Sequence, residues 1–213
     1  MHSYPKVCYS IQIMAQNIVG IDEAGRGPLA GPVAIGAVFI DDDFDWDMLL
    51  EVDDSKKLSP QIREDIFYIV KKMKKNGLLD FQVTLISAPI IDRIGIAPAI
   101  KKGIARTLHT LSARKNVTPA EVHIKLDGSL KAPDSFLYQE TIIQGDSLLK
   151  VIGLASILAK VTRDRHMCMM GKRYPDYGFE QHKGYGTRIH RQAILSHGLT
   201  DIHRQTFCTR LMN

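Results

Sequence analysis

The stretch Ile18-Val19-Gly20-Ile21-Asp22-Glu23-Ala24-Gly25-Arg26-Gly27-Pro28-Leu29-Ala30-Gly31-Pro32-Val33 decides how the rest of the chain is read. A short apolar run, strand-like in length, ends in two adjacent acids, Asp22 and Glu23. A carboxylate beside a core costs free energy unless something compensates it, and a bound cation is the simplest compensation. The glycines that follow allow a ligand backbone to come close. The segment predicts a metal site next to a phosphate-bearing partner.

Working outward, Val19 to Asp22 predicts a first strand. Val33 to Ile40 predicts a second, joined to it by the Gly/Pro turn as a hairpin. Ser59-Pro60 supplies an N-cap and an N1 proline for a helix whose apolar face is Ile62, Ile66, Ile69, Val70 and Met73, stopped by Gly77. Phe81 to Ile86 is a third strand, Ala97 to Ala113 an amphipathic helix, and Val122 to Leu126 an alternating fourth strand ending at Asp127-Gly128. Thr141 to Ile143 is a short fifth strand, and Val151 to Met170 a long apolar helix. After Pro175 the composition turns aromatic, glycine-rich and basic, with one more helix near Ile189 to His197. The order is that of an α/β protein. The expected organisation is one domain over residues 1–213: an α/β core over 17–172 and a small C-terminal helical extension over 173–213.

Four acids stand in unusual places. Asp22 and Glu23 end the first strand, Asp127 ends the fourth, and Asp164 lies on the long helix. Successive strand side chains point to opposite faces, so Asp22 and Glu23 converge only if the backbone turns there, with Gly25 supplying the freedom. Leu154, Ile157, Val161, Asp164 and Cys168 follow one helical stripe, so Asp164 interrupts a core-facing seam. The bland reading pairs Asp164 with Arg163 or Arg165. If strands one and four run parallel, Asp22 and Asp127 share one edge of the sheet, where open α/β sheets place ligands. Oxygen donors without His or Cys select Mg²⁺ or Mn²⁺, and Mg²⁺ keeps waters and binds phosphate oxygens. The run Asp41 to Asp47 lacks the Gly and Glu of an EF-hand loop and reads as a solvated connection. Gly25-x-Gly27-x-x-x-Gly31 does not open a helix and lacks a P-loop lysine, so it is no dinucleotide or P-loop motif. Its backbone N–H groups and Arg26 suit a sugar-phosphate backbone instead.

Composition narrows the class further. The 213 residues are 45% hydrophobic and 24% charged, enough to bury a core. No apolar run approaches the ~20 residues of a membrane helix, and Met1 to Gln16 lacks the order of a signal peptide. Cys8, Cys168 and Cys208 form no zinc pattern and read as reduced thiols of a cytoplasmic protein. The net charge of +5 permits a polyanionic partner without establishing one. The basic run Lys71-Lys72-Met73-Lys74-Lys75 reads as a solvated helix end. A monomer is the default expectation.

The segment 22–33 closely resembles the signature of type 2 ribonuclease H, ribonuclease HII. The similarity continues in order through Asp54-Ser55-Lys56-Lys57-Leu58-Ser59, Leu126-Asp127-Gly128 and Ala155 to Arg165. It ends with the tyrosine loop His182-Lys183-Gly184-Tyr185-Gly186-Thr187 and the tail His203-Arg204-Gln205-Thr206-Phe207. The resemblance implies an RNase H-like fold, a mixed five-stranded sheet flanked by helices. It implies that Asp22, Glu23, Asp127 and Asp164 bind two Mg²⁺ or Mn²⁺ ions with substrate. It implies cutting of RNA in RNA–DNA hybrids, and of duplex DNA 5′ of an embedded ribonucleotide, leaving 3′-hydroxyl and 5′-phosphate ends. Gly25, Arg26 and Gly27 would sense the ribose 2′-hydroxyl, the group that distinguishes RNA from DNA. Tyr185 would stack at the RNA–DNA junction. Lys56, Lys57, Lys183 and Arg204 are expected on phosphates, which fix register without reading sequence. Ser147, Leu148 and Val151 depart from the family pattern. The extra N-terminal domain expected of ribonuclease HIII is not seen. The rival reading is a non-catalytic nucleic-acid-binding module on the same fold.

Overall fold

The computed structural model describes residues 17–49 and 58–212. Five strands form one sheet: β1 (Asn17–Ala24), β2 (Val33–Ile40), β3 (Asp80–Ile86), β4 (Val122–Asp127) and β5 (Gln139–Ile142), in the order β3-β2-β1-β4-β5. The hairpin β1–β2 and the pair β2–β3 are antiparallel, while β1–β4 and β4–β5 are parallel. The fold is thus the expected mixed α/β sheet. β2 is buried along its whole length, which is why Val33 to Ile40 is apolar at every position rather than at alternate ones.

Helices cover both faces. On one face Val19, Ile21, Val33, Ile35, Ala37 and Phe39 pack with Ile100, Ile104, Leu108 and Leu111 of α3 (Ile96–Lys115). On the other, Val38 and Ile40 pack with α1 (Pro60–Lys75) and α5 (Lys150–Arg173). α1 starts as its sequence dictates: Pro60 stands in the first turn, and the Ser59 hydroxyl accepts from the Ile62 N–H at 3.3 Å. Its buried face is Ile66, Phe67, Val70 and Met73; Ile69, expected inside, is 41% exposed because the buried stripe is displaced toward Phe67, which lies nearly opposite it around the helix. A short helix that the sequence reading missed, α2 (Ala88–Ile94), precedes α3, and the two are joined at Gly95 with φ of 82°.

α5 rests directly on the sheet. A Cβ on Gly20 would lie 2.4 Å from the Val151 carbonyl oxygen, and one on Gly36 would lie 2.3 Å from that of Ala155. No side chain fits at either place, so β1 and β2 take the helix backbone itself as neighbour. The helix accordingly buries most of its circumference from Val151 to Val161. α4 (Gly145–Leu148) leads into it, and α6 (Phe179–His182), α7 (Arg188–His197) and α8 (Gln205–Met212) complete the C-terminal extension. That extension has its own apolar cluster, in which Tyr177, Phe179, Ile194 and Cys208 close over Ala30 and Met167. Among the described residues no helix is long and apolar enough to cross a membrane.

Gly36→Ala forces the helix off the sheet or bends the strand. The expected cost is about 1–3 kcal/mol, the usual range for overpacking. Urea denaturation checks it, and an unchanged midpoint with an unchanged slope would show that the helix is free to move away.

Candidate active site

The parallel pairing sets the acids. Ile21 lies opposite Leu126, so the next residues, Asp22 near the end of β1 and Asp127 at the end of β4, stand level with each other at one end of the sheet. Asp22 is only 5% exposed and faces α5, whose Ser156 hydroxyl donates to it. Burial, together with the charges of Glu23 and Asp127, pushes the Asp22 carboxyl up to about 8, against the bonds from Ser156 and the Glu23 N–H. Burial also raises Glu23; Arg26, 3.5 Å away, opposes that, and Asp127 adds to it. Asp127 Oδ1 accepts the Asp146 N–H at 3.4 Å, at the start of α4.

The turn that Gly25 was expected to permit comes after both acids rather than between them. β1 stays paired with β2 through Ala24, and the chain turns only at Gly25, with φ of 91°. Their shared position at the strand end, rather than a break in the strand, couples the two acids. Among the described residues no three His, Cys, Asp or Glu side chains close into a metal cage. The donor set nevertheless fits a hard cation. It is all oxygen, and burial, with a smaller part from mutual repulsion, raises two of its members, a cost that a divalent ion relieves.

Beside the acids opens a cavity of about 500 Å³ lined by Glu23, Gly25, Arg26, Gly27 and Tyr185, and also by Arg63, Ser156 and Lys160. The first five were expected together. Arg63, Ser156 and Lys160 were not singled out from sequence, although Ser156 and Lys160 fall inside the motif Ala155 to Arg165. Lys160 explains Asp164. Its ammonium lies 2.9 Å from Asp164 Oδ1 and 5.9 Å from the centre of the Tyr185 ring. Asp164 therefore pairs one turn back along its helix, with neither Arg163 nor Arg165; Arg165 pairs with Glu64. Eight residues beyond Ser156, Asp164 stands roughly 12 Å further along the helix axis. It lines an adjoining depression with Lys183, whose ammonium donates to the Glu180 carbonyl. Lys56 and Lys57 lie outside the described residues.

Arg204 corrects an expectation. Instead of reaching a phosphate it is fully buried, with Nη2 donating to the Gly25 carbonyl at 2.6 Å, Nη1 to Arg26 at 2.8 Å and Nε to Gly31 at 3.0 Å. Burial pulls it down to about 10, so it keeps its charge at neutral pH. Arg163, also fully buried, donates to the carbonyls of Pro32 and Ala30. The turn after β1 is held from beneath by two guanidinium groups. The reason is geometric: the turn carbonyls point inward with no strand to receive them, and a planar fork of donors satisfies several at once. The Tyr185 loop joins the same turn, since the Leu29 N–H donates to the Gly184 carbonyl at 2.9 Å.

Comparison with known proteins agrees with this architecture. The family model described as Ribonuclease HII matches residues 19–210. A Ribonuclease HII of Endomicrobium trichonymphae is 42% identical over 190 residues, 89% of this chain and 84% of that protein. The crystal structure of the ribonuclease H2 from Pyrococcus horikoshii superposes with a TM-score of 0.65 at 25% identity, over 92% of this chain and 97% of the other. That of Bst-RNase HIII in complex with Mn²⁺ gives 0.68 at 20% identity, over 94% of this chain and 70% of the other. With strand ends, turn and long helix all inside the matched span, the chain belongs to the ribonuclease HII family.

Proposed function

We propose that this chain is a metal-dependent endonuclease that cuts the RNA strand of RNA–DNA hybrids and cuts duplex DNA on the 5′ side of an embedded ribonucleotide, leaving 3′-hydroxyl and 5′-phosphate ends. The observation that carries the reading is the meeting, at one end of the sheet, of Asp22, Glu23 and Asp127 with a cavity walled by Gly25, Arg26, Gly27 and Tyr185. Such a cavity falls in the range that takes a small-molecule or nucleotide-sized group. Membership of the family and the Mn²⁺ bound by the fold relative support it.

In this reading Asp22, Glu23 and Asp127 hold Mg²⁺ or Mn²⁺, while Asp164, expected as a fourth ligand, stands apart from them in the adjoining depression, paired with Lys160. Bound as a pair, such ions make a water more acidic and offset charge on the departing oxygen. The protein supplies the rest. Ser156 fixes the Asp22 carboxylate, and Arg26 balances Glu23. The amide groups of Gly25 to Gly27 read the ribose 2′-hydroxyl, and Tyr185 packs on the sugar-base step beside it. Arg26, Arg63 and Lys160 receive phosphates, which fix register. A purely binding module on this fold would be ill served by the acids, because carboxylates repel a phosphate chain unless a cation intervenes.

Two outcomes test the proposal. A duplex DNA with one ribonucleotide is cut at that nucleotide with Mg²⁺ or Mn²⁺ and left intact with EDTA; Asp127→Asn slows the cut by more than about 100-fold while the thermal melt stays within a few degrees. Cutting in EDTA, or full activity of Asp127→Asn, contradicts it. The second outcome concerns pH. Asp22 is held up near 8, so below that pH a cation must displace a proton to bind. Mn²⁺ affinity measured by calorimetry therefore rises with pH by up to about tenfold per unit toward pH 8 and then flattens. A flat profile from pH 6 to 8 would count against Asp22 as a ligand.

A further inference from the structure

Behind the Tyr185 loop lies a cluster of three imidazoles that the chemistry above does not use. His182 stacks on His190, with centroids 4.4 Å apart and planes 15° from parallel, and His190 Nε2 lies 3.0 Å from His203 Nε2. His190 and His203 are buried, with Tyr177 and Phe179 rings packed among them.

Partner chemistry fixes the tautomers. A backbone N–H only donates and a carbonyl only accepts. The Thr200 N–H donates to His203 Nδ1 at 2.9 Å, so the proton of His203 sits on Nε2. His190 Nδ1 faces the Tyr185 carbonyl at 2.9 Å and must carry its proton there, which leaves His190 Nε2 free to accept from His203. The bonds run one way: Thr200 N–H to His203, His203 to His190, His190 to the Tyr185 carbonyl. Neutrality is required throughout, because a second proton on either ring would face another N–H. Burial and the neighbouring imidazoles hold both rings down near 4, in keeping with that requirement. His182 braces the same loop from its other side, accepting the Gly184 N–H at 3.2 Å and donating to the Tyr177 carbonyl at 2.7 Å.

We propose that His203 and His190 are positioning residues: a neutral hydrogen-bonded relay that sets the Tyr185 backbone, and so aims its ring into the cavity beside the acids. The proposal rests on the reading of Tyr185 as the residue that meets the substrate at the ribonucleotide. Chain order adds weight. His203 serves the Tyr185 loop, while its neighbour Arg204 serves the Gly25–Gly27 turn. One dipeptide in the C-terminal extension thus anchors both walls of the cavity, and the extension sets the spacing between them.

A double-mutant comparison on duplex DNA carrying one ribonucleotide, with Mn²⁺, tests this. His190→Leu should lower kcat by about tenfold, the scale of one lost buried hydrogen bond, with KM changed less than about threefold. His190→Asn, which keeps an N–H at the reach of Nδ1, should recover most of that rate. In a Tyr185→Ala background His190→Leu should add less than about a twofold loss, because residues that act through one another are not additive. A full further tenfold loss in that background, or an unchanged kcat for His190→Leu, overturns the relay. Amide exchange gives a reading that does not depend on cutting. Residues 184–187 should exchange about tenfold faster in His190→Leu while β1 and β2 keep their protection; equal acceleration everywhere means a merely structural role. If His190→Leu yields no folded protein, His203→Leu against His203→Gln, which keeps the Nε donor, is read by the same criteria. Tyr185→Ala that cuts normally while the exchange result holds would sink the substrate role of Tyr185 and leave the relay standing.

Discussion

Everything in the site hangs on the backbone of one turn, from Gly25 to Pro32. It leaves the sheet at the strand end that carries the acids, and its carbonyls have no strand to pair with. Two buried guanidinium groups answer that demand, Arg204 for Gly25, Arg26 and Gly31, and Arg163 for Ala30 and Pro32. Buried cations are costly unless their donors are used, and several kcal/mol of desolvation attaches to each charge. Carbonyl dipoles offset that cost here; among the described residues neither arginine forms a salt bridge. The result is a turn fixed by side chains from two distant segments, the long helix and the C-terminal extension. The extension is therefore part of the site's framework, although it carries none of the acids.

The long helix contributes at both ends of this arrangement. Glycines in β1 and β2 admit its backbone against the sheet, which brings Ser156 to Asp22. A little further along, Lys160 stands between Asp164 and Tyr185, and Arg163 dips under the turn. Three side chains on one helix, Ser156, Lys160 and Arg163, thus serve three different purposes, each set by helical phase.

Much of this was legible in the sequence for physical reasons. The unbroken apolar run Val33 to Ile40 could only be an interior strand, and paired acids at the end of its neighbour had no structural excuse. The level placement of Asp22 and Asp127 followed once parallel pairing was assumed. Other features were not legible. Arg204 looked like a phosphate contact because a lone arginine in a polar tail has the same letter whether it faces solvent or carbonyls 170 residues away. Asp164 read as a fourth metal-binding acid, with Arg163 or Arg165 as its bland partners, yet the helical repeat sets it beside Lys160, four positions back. The histidines of 182–203 gave no periodic signal at all, since their meeting depends on how the extension folds back. The short helix Ala88–Ile94 escaped because its apolar residues are too few to show a period.

The pairing of β1 with β4 has a consequence for how the protein comes to be active. Asp22 and Asp127 stand more than a hundred residues apart in sequence, and the hairpin β1–β2 can form long before β4 arrives. Closing so long a loop carries a large entropic cost, and contacts of that separation form late. Arg204, which secures the turn, lies further along the chain than β4 and arrives later still as the chain is made. A partly folded or unfinished chain therefore holds Asp22 and Glu23 without their partner acid or their loop. The acids are brought together only when the sheet is complete, so a half-made molecule lacks the site on which the proposed cutting depends.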